Sequence, residues 1–212
     1  MAKITFILGG ARSGKSAFAE GLARKYRDVI YIATAEMKDD EMRERIRVHR
    51  TRRPFNWKTI ESPYHIHKTV SEINEHADVI FVDCITLYIT NMLFSDEKIT
   101  KAFLEKDDKR EITTLSPSLG GGLSAANGLK LNTDYLRQKQ EHILVEINKL
   151  SRACRKSKSD IILVSNEVGL GIVPDNVLSR LFRDVAGRAN QILADEADDV
   201  YFIIAGISQK IK

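Results

Sequence analysis

The sequence predicts an α/β domain built on a mostly parallel β-sheet with helices on both faces. Five short apolar runs rich in β-branched residues are predicted to be strands, and helical patterns separate most of them. A glycine-rich loop directly follows the first run and precedes the first helical pattern, which is typical of a strand–loop–helix unit. Because the chain has 212 residues, of which 43% are hydrophobic, it can bury the core of one such domain.

The predicted strands are spaced so that a helix fits between most of them. They are Ile4–Leu8, Val29–Ala33, Val79–Val82, Ile161–Ser165 and Val200–Ala205. A helix is predicted after the first strand because Phe18, Leu22 and Tyr26 recur at helical spacing. Two further short strands are predicted at Thr59–Glu61 and at Gln209–Lys212, the second pairing antiparallel at the sheet edge.

Two other segments differ from the rest of the chain in how their charged residues are distributed. Asp39–Arg53 is predicted to be a helix, because its acidic start and arginine-rich end complement the helix dipole and Pro54 stops it. Ser95–Asn132 begins with many charges, continues into a serine- and glycine-rich stretch and has weak apolar periodicity. We expect an insertion there, partly helical at first and then a mobile loop, within a single domain that spans residues 1–212. Helical periodicity resumes from Tyr135 to Leu150.

Charge and composition limit the expected partners. The net charge of +4 is mild, and much of the basic excess lies in Arg43–Arg53, which favours a local anion site over a nucleic-acid-binding face. No apolar run approaches membrane-spanning length, so membrane insertion is not expected. Cys84 and Cys154 lack a metal-binding spacing and are expected to be buried thiols in a reducing compartment. We therefore expect a cytoplasmic protein.

The glycine-rich loop fits the phosphate-binding pattern G-x-x-x-x-G-K-[ST]. Its residues are Gly9, Gly10, Ala11, Arg12, Ser13, Gly14, Lys15 and Ser16. The glycines allow a tight turn in which backbone N–H groups converge on phosphate oxygens at a helix N-terminus. Lys15 is predicted to reach the β- and γ-phosphates of a nucleoside triphosphate, and Ser16 to hold Mg²⁺. The alternative is a glycine turn that binds no ligand.

An aspartate directly follows the predicted strand at residues 79–82. A carboxylate at the end of such a strand can hold Mg²⁺, directly or through water, beside the phosphate-binding loop. Asp83 is therefore predicted to be a metal ligand. The alternative is that Asp83 caps the apolar helical run that begins just after it, since aspartate is among the preferred N-cap residues.

Two further segments each keep two interpretations. Met42, Ile46 and His49 share one face of a predicted helix, so His49 either completes an apolar stripe or acts as a nucleophile or acid–base group. In the second case the neighbouring guanidinium groups would hold phosphates. Ser165–Pro174 leaves a buried strand at the edge where ligands of open α/β sheets bind, and is either part of the site or an ordinary glycine-containing loop.

A set of short motifs occurs in a fixed order along nearly the whole chain. They are the glycine-rich loop, Tyr31–Ala35, Asp39–Met42 with Arg45–Ile46 and His49–Arg50, Asp83–Thr86, Asn91–Phe94, Asn166–Gly169 with Gly171–Pro174, and Phe182–Asp184 with Ala186–Arg188. Together they resemble the bifunctional adenosylcobinamide kinase/adenosylcobinamide-phosphate guanylyltransferase family of cobalamin biosynthesis. The resemblance leaves out the 95–132 segment.

The resemblance implies a RecA-like P-loop NTPase fold, often assembled as a trimer, and two reactions. In the first, a nucleoside triphosphate, ATP or GTP, phosphorylates the side-chain hydroxyl of adenosylcobinamide. In the second, GTP loses pyrophosphate and its GMP passes through a histidine adduct to adenosylcobinamide phosphate, which gives adenosylcobinamide-GDP. His49 matches the histidine, so the resemblance favours its role as a nucleophile. It also implies a nucleotide site lined by Thr34, Ala35, Glu36, Arg50, Thr51, Arg52, Arg53, Glu61 and Asp83.

Two other functions are consistent with the glycine-rich loop itself. The first is a P-loop kinase that phosphorylates a small molecule without a covalent intermediate, for which His49 is replaceable. The second is a nucleotide-dependent regulatory switch. A guanine-specific switch normally carries the tetrapeptide Asn-Lys-x-Asp, which this sequence lacks. The absence of that tetrapeptide weakens the switch hypothesis and leaves the kinase as the stronger alternative.

Overall fold

A seven-stranded sheet forms the centre of the computed structural model, which describes residues 2–36, 47, 53–100 and 133–212. The strands are β1 (Ile4–Gly9), β2 (Val29–Ala33), β3 (Lys58–Glu61), β4 (Val79–Asp83), β5 (Asp160–Asn166), β6 (Asp199–Ile204) and β7 (Ile207–Lys210). Their spatial order is β3–β2–β4–β5–β1–β6–β7. All neighbouring pairs are parallel except β6 and β7, which are antiparallel. The predicted mostly parallel sheet is confirmed.

Helices cover both faces of this sheet. They are α1 (Lys15–Ala23), α2 (Ile66–Ile73), α3 (Ile85–Phe94), α4 (Thr133–Lys156) and α5 (Val177–Glu196). Residues 97–100 are also helical. α5 begins after Asn176, whose side chain accepts hydrogen bonds from the N–H groups of Leu178 and Ser179 and so caps the helix. α1 and α4 confirm the two helices predicted from apolar periodicity, after the first strand and from Tyr135 to Leu150.

The central strands are buried on both faces, which explains their nearly continuous apolar sequence. In β1, Phe6 packs into the cluster formed with α2, α3, α4 and α5. Its neighbour Ile7 points to the opposite face, where it packs with Ala19 of α1 and Phe81 of β4. Successive residues of a strand alternate between faces, so each apolar residue of β1 contributes to one of two cores. Both cysteines are buried free thiols, as predicted.

At the edge of the sheet, the observed bounds of β6 and β7 differ from the predicted bounds by one or two residues. β7 begins at Ile207 and not at Gln209, because the turn that precedes it contains only two residues. Those residues, Ala205 and Gly206, have φ values of 50° and 81°. Positive φ at both positions forms the tight turn whose twist suits a hairpin, so pairing resumes at once. The predicted antiparallel partner at the edge is confirmed.

Two predictions concern segments that lie largely outside the described residues. The predicted helix Asp39–Arg53 falls there except for residue 47, which is helical, and residue 53. Of the predicted insertion at 95–132, only residues 95–100 are described, and Ile99 is buried among the core side chains. The extent and mobility of the insertion therefore stay predictions, as does the division of the chain into one domain.

The start of β6 contains a buried carboxylate between two lysines. Asp199 Oδ2 lies 2.6 Å from the amine of Lys3, and its Oδ1 lies 2.5 Å from the amine of Lys210. The hydrogen bonds from Lys210 and then Lys3 lower the pKa of Asp199 below its usual range. A carboxylate with a lowered folded-state pKa stabilises the fold above its unfolded pKa, and this contribution is lost as the pH falls through the folded pKa.

Replacing Asp199 with Asn is expected to lower the free energy of unfolding at neutral pH by about 1 kcal/mol, because the partly exposed lysines lose a charged acceptor. The difference from the parent should shrink below about pH 4, where the parent carboxylate takes up a proton. Urea unfolding at neutral and acid pH measures both effects. Asp195→Asn, which removes an exposed carboxylate of α5, is the control. A difference that stays constant with pH would contradict the assignment.

Candidate nucleotide-binding site

The glycine-rich loop has a shape that only glycine permits at two positions. A Cβ atom at Gly9 would lie 2.6 Å from the carbonyl oxygen of Ile203, too close for any side chain. Gly14 has a φ of 96°, in the left-handed region, and forms the N-cap of α1 without a side-chain cap. The first N–H groups of α1 are therefore not capped by this residue, which is the arrangement that binds anions at helix N-termini.

Lys15 is the first residue of α1 and is 8% exposed. Its amine donates a hydrogen bond of 3.2 Å to the carbonyl oxygen of Gly10, so it lies against the loop. Burial lowers the pKa of Lys15, while the nearby Cys84 and Asp83 act in the opposite direction. A cation held close to a loop of backbone N–H groups is suited to bind phosphate oxygens.

Neighbouring segments support the loop from two sides. The N–H of Gly206, in the turn between β6 and β7, donates to the carbonyl oxygen of Ser13 at 2.8 Å. The N–H of Glu167, just after β5, donates to the carbonyl oxygen of Gly9 at 3.0 Å. Ser13 Oγ is buried without a hydrogen-bond partner, whereas Ala11 and Arg12 are exposed. The loop backbone is thus held in place while its outer residues face solvent.

Strand register brings the other predicted residues to the same edge of the sheet. Glu61 of β3 pairs with Ala33 of β2, and Ala33 pairs with Asp83 of β4. Only β5 separates β4 from β1, so the ends of these two strands are about 10 Å apart at the usual strand spacing. The carboxyl edge therefore carries the glycine-rich loop, Asp83, Glu61 and the residues just after β2, as the parallel sheet predicts.

Asp83 does not cap the following helix. The N-cap of α3 is Cys84, and no side chain caps this helix end. Instead, Asp83 Oδ2 accepts a hydrogen bond of 2.9 Å from the hydroxyl of Tyr31. The capping alternative is therefore wrong, and the half-buried carboxylate stands at the strand end where a metal ligand was predicted.

Tyr31 connects Asp83 to Arg53, a contact that could not be expected from the sequence. The guanidinium carbon of Arg53 lies 3.4 Å from the centre of the Tyr31 ring, which is a cation–π contact. Phe81 packs edge-on against the same ring, with ring centres 4.9 Å apart. Burial raises the pKa of Tyr31 well above its usual value, so its hydroxyl stays a neutral donor to Asp83. A tyrosine within a buried strand usually signals core packing and not a site.

Thr34 is completely buried and bonds to the protein through all its polar atoms. Its hydroxyl donates to the carbonyl oxygen of Cys84 at 2.8 Å and accepts from the N–H of Cys84 at 2.7 Å. Its own N–H donates to the carbonyl oxygen of Asp83, and its carbonyl oxygen accepts from the Asn91 amide. Thr34 therefore positions the segment after β4. Of the residues that follow it, Ala35 and Glu36 are half-buried, and the carboxylate of Glu36 accepts from Tyr64.

A cavity of about 390 Å³ lies beside this edge. Its walls are formed by Arg53, Pro54, Phe55, Trp57, Thr59 and Glu61. Two predicted nucleotide-binding residues, Arg53 and Glu61, thus meet at one opening. Phe55 is fully exposed, whereas Trp57 is buried against Phe81. The walls combine aromatic surface with a cation and a carboxylate, which suits a planar ligand that carries polar groups.

The remaining predicted residues divide into two groups. His49, Arg50, Thr51 and Arg52 lie outside the described residues. In the Ser165–Pro174 segment, Glu167 Oε1 accepts from the N–H of Gly169, as the ordinary-loop interpretation expected. Asn166 pairs with Gly9 across the sheet, and its Oδ1 atom is buried without a hydrogen-bond partner.

No helix among the described residues is long and apolar enough to span a bilayer.

The fold and this edge define a RecA-like P-loop nucleotide-binding protein. A solved structure of a prototypical ATPase from the type III secretion system of pathogenic bacteria shares this fold, with a TM-score of 0.51 and 11% sequence identity. The match covers 98% of this chain and 57% of that chain.

Sequence comparison then gives the family. The model of the cobinamide kinase/cobinamide phosphate guanyltransferase family matches residues 5–211. The bifunctional adenosylcobalamin biosynthesis protein CobU of Escherichia coli is 38% identical, over 97% of this chain and 98% of that protein. CobU of Salmonella typhimurium is 39% identical with the same coverage, and CobP of Pseudomonas aeruginosa is 37% identical over 97% and 95%. The chain therefore belongs to the cobinamide kinase/cobinamide phosphate guanyltransferase family, which confirms the resemblance.

Replacing Thr34 with Val is expected to lower the free energy of unfolding by about 1–3 kcal/mol, because the buried N–H of Cys84 loses its acceptor and the Cys84 carbonyl keeps only the N–H of Tyr88. Thr34→Ser keeps the hydroxyl and is the matched control. Urea unfolding of the three proteins measures the difference. A Val variant as stable as the Ser variant would show that the hydroxyl does not hold this segment.

Proposed function

We propose that this chain catalyses both reactions named by its family, with one nucleotide site at the carboxyl edge of the sheet. A nucleoside triphosphate phosphorylates the side-chain hydroxyl of adenosylcobinamide. GMP is then transferred from GTP to adenosylcobinamide phosphate, which gives adenosylcobinamide-GDP and pyrophosphate. The observation that carries the proposal is the buried Lys15 on the glycine-rich loop, which interacts with Asp83 in a chain that matches the family almost from end to end.

The triphosphate binds to the glycine-rich loop. The N–H groups from Gly10 to Ser16 receive the phosphate oxygens, and Lys15 moves its amine from the Gly10 carbonyl oxygen to the β- and γ-phosphates. In the kinase reaction the acceptor hydroxyl attacks the γ-phosphorus and gives its proton to solvent water, while the nucleoside diphosphate departs with the bond electrons. Lys15 and the loop neutralise the charge on the departing group. ATP and GTP both fit this phosphate arrangement.

The site also has oxygen donors that suit Mg²⁺. The hydroxyl of Ser16 and the half-buried carboxylate of Asp83 are hard ligands of the kind that Mg²⁺ prefers. Tyr31 donates to one oxygen of Asp83, so the second oxygen is available to the ion or to a water bound to it. When bound, Mg²⁺ lowers the charge on the triphosphate. The hydrogen bond from Tyr31 holds the carboxylate in one orientation.

His49 is the nucleophile of the second reaction. A neutral imidazole nitrogen forms a bond to the α-phosphorus of GTP as the bond to pyrophosphate breaks, and pyrophosphate leaves with the electron pair. A phosphate oxygen of adenosylcobinamide phosphate then attacks the same phosphorus, and the nitrogen–phosphorus bond breaks. The guanidinium groups of Arg50, Arg52 and Arg53 neutralise the non-bridging oxygens in both steps. Thr34, Ala35 and Glu36 shape the edge at which these steps occur.

We base the proposed assembly state and cellular location on the resemblance to the family. We place the protein in the cytoplasm, where its nucleotide substrates are available, and we propose that it functions as a homotrimer. Leu170, Ile172 and Val173 after β5 are exposed apolar side chains, which agrees with assembly through this region. Its small-molecule partners are adenosylcobinamide and adenosylcobinamide phosphate.

Replacing Lys15 with Ala is expected to abolish both activities, by at least about a thousandfold in kcat/KM, because the phosphates lose the cation on the loop. The fold should persist, since Lys15 contributes one hydrogen bond, to Gly10, in the absence of ligand. Steady-state assays of the two reactions measure the loss, and circular dichroism checks the fold. Lys25→Ala, just beyond α1 and exposed, is the control. Near-normal turnover by a folded Lys15→Ala protein would place the triphosphate elsewhere.

His49 separates the covalent mechanism from direct transfer. His49→Ala is expected to abolish guanylyl transfer and the acid-labile label that the parent retains from α-labelled GTP, because the phosphoramidate cannot form. Phosphorylation of adenosylcobinamide should largely persist, since that reaction needs no covalent carrier. His76→Ala, an exposed histidine after α2, is the matched control. If His49→Ala transfers GMP at the parent rate, transfer is direct.

A further inference from the structure

A second group of ligand-type side chains lies between α2 and α4. Glu146 of α4 is 5% exposed and points its carboxylate towards His65 and His67 at the start of α2. Its Oε2 atom lies 3.6 Å from His65 Nδ1 and 3.3 Å from His67 Nδ1. In these three residues the potential ligand atoms all lie within 4.8 Å of one another. The group has no part in the nucleotide site described above.

Backbone conformation brings the two imidazoles together. Residues two apart on a helix do not face each other, so a His-x-His pair inside a helix would diverge. His65 instead precedes α2 as its N-cap, with φ 51° and ψ 36°, in the left-handed region that few residues other than glycine adopt. This turn directs both Nδ1 atoms to the same carboxylate oxygen, with the ring planes at 88° to each other.

The facing atoms lack the hydrogen bonds expected of buried polar groups. Glu146 Oε2 and His67 Nδ1 are both buried and neither makes a hydrogen bond of standard geometry. The other oxygen of the carboxylate, Oε1, accepts from the amine of Lys149 at 2.8 Å. The hydroxyl of Tyr88 also lies against this carboxylate. Lys149 therefore fixes the orientation of Glu146 and leaves Oε2 directed at the two imidazoles.

The two distances from Glu146 Oε2 are close to the edge length of a tetrahedral zinc site. Ligand atoms at zinc–ligand distances of 2.0–2.1 Å are about 3.3–3.4 Å apart in tetrahedral geometry. The two separations from Oε2, 3.3 and 3.6 Å, lie close to this value without any ion having been placed. Two imidazole nitrogens and one carboxylate oxygen are ligands that zinc accepts, whereas Mg²⁺ prefers oxygen alone.

We propose that His65, His67 and Glu146 bind one divalent transition-metal ion, with zinc the best match. Water completes the fourth position, since the cluster supplies three ligands. The bound ion joins α2 to α4. It also fixes residues 62–65, which connect Glu61 at the nucleotide site to α2. The role is structural, and it does not depend on which reaction the nucleotide site catalyses.

Zinc titration of the metal-free full-length protein tests this proposal directly. Calorimetry should give one ion per chain with a chelator-sensitive affinity. The melting temperature should rise by about 5–10 °C when free zinc is a hundredfold above its Kd, because only the folded state has the site. Cobalt should bind at the same place and give the intense visible absorption of a tetrahedral complex. Failure to bind zinc or cobalt at one equivalent would overturn the proposal.

Matched variants locate the ion. Glu146→Gln keeps the shape of the side chain and removes its charge, and should weaken zinc binding by more than about a hundredfold. His65→Gln is the second variant, because the His65 side chain is 65% exposed and its replacement does not open the core. His76→Gln, an exposed histidine outside the cluster, should bind zinc as the parent does. Parent-like zinc binding by both Glu146→Gln and His65→Gln would assign the ion to another place and refute the site.

Discussion

The pair of hydrogen bonds between Thr34 and the backbone of Cys84 joins the carboxyl ends of β2 and β4, and the candidate site depends on this junction. Parallel strands end in loops that could separate, yet here the first residue after β2 bonds to the first residue after β4. A buried polar group without a partner costs about 1–3 kcal/mol, so the two segments are strongly held in one arrangement. This junction also fixes the position of Asp83, the residue before Cys84.

The cationic side chains at the site suit an anionic ligand. Burial lowers the pKa of Lys15, an effect that the nearby Cys84 and Asp83 oppose. A triphosphate carries the opposite charge, so its binding also favours the charged amine of Lys15. Arg53 is arranged differently. Its guanidinium group stacks on the Tyr31 ring, and the Tyr31 hydroxyl donates a hydrogen bond to Asp83, so Tyr31 connects the two charged residues.

Much of the fold was predictable because it follows from local patterns. Val29–Ala33 is predicted at its observed bounds because apolar β-branched runs need a buried sheet, and the glycine-rich loop has a strict residue requirement. Features that join distant residues were not predictable. The role of Thr34 depends on β2 lying beside β4, and Glu146 comes near His65 only through helix packing. The His-x-His pattern was a visible signal, but its third ligand lies some eighty residues away.

The support of the phosphate loop by the β6–β7 turn has a consequence for synthesis. Gly206, which donates to Ser13, comes far later in the chain than the loop, and β1 also needs β5 and β6 as neighbours. A ribosome releases the loop well before these supports, so the loop leaves the ribosome before β5, β6 and the turn that hold it. Contacts of such long sequence separation form late and slowly. We therefore expect the phosphate loop to reach its binding conformation only after the turn between β6 and β7 has been synthesised.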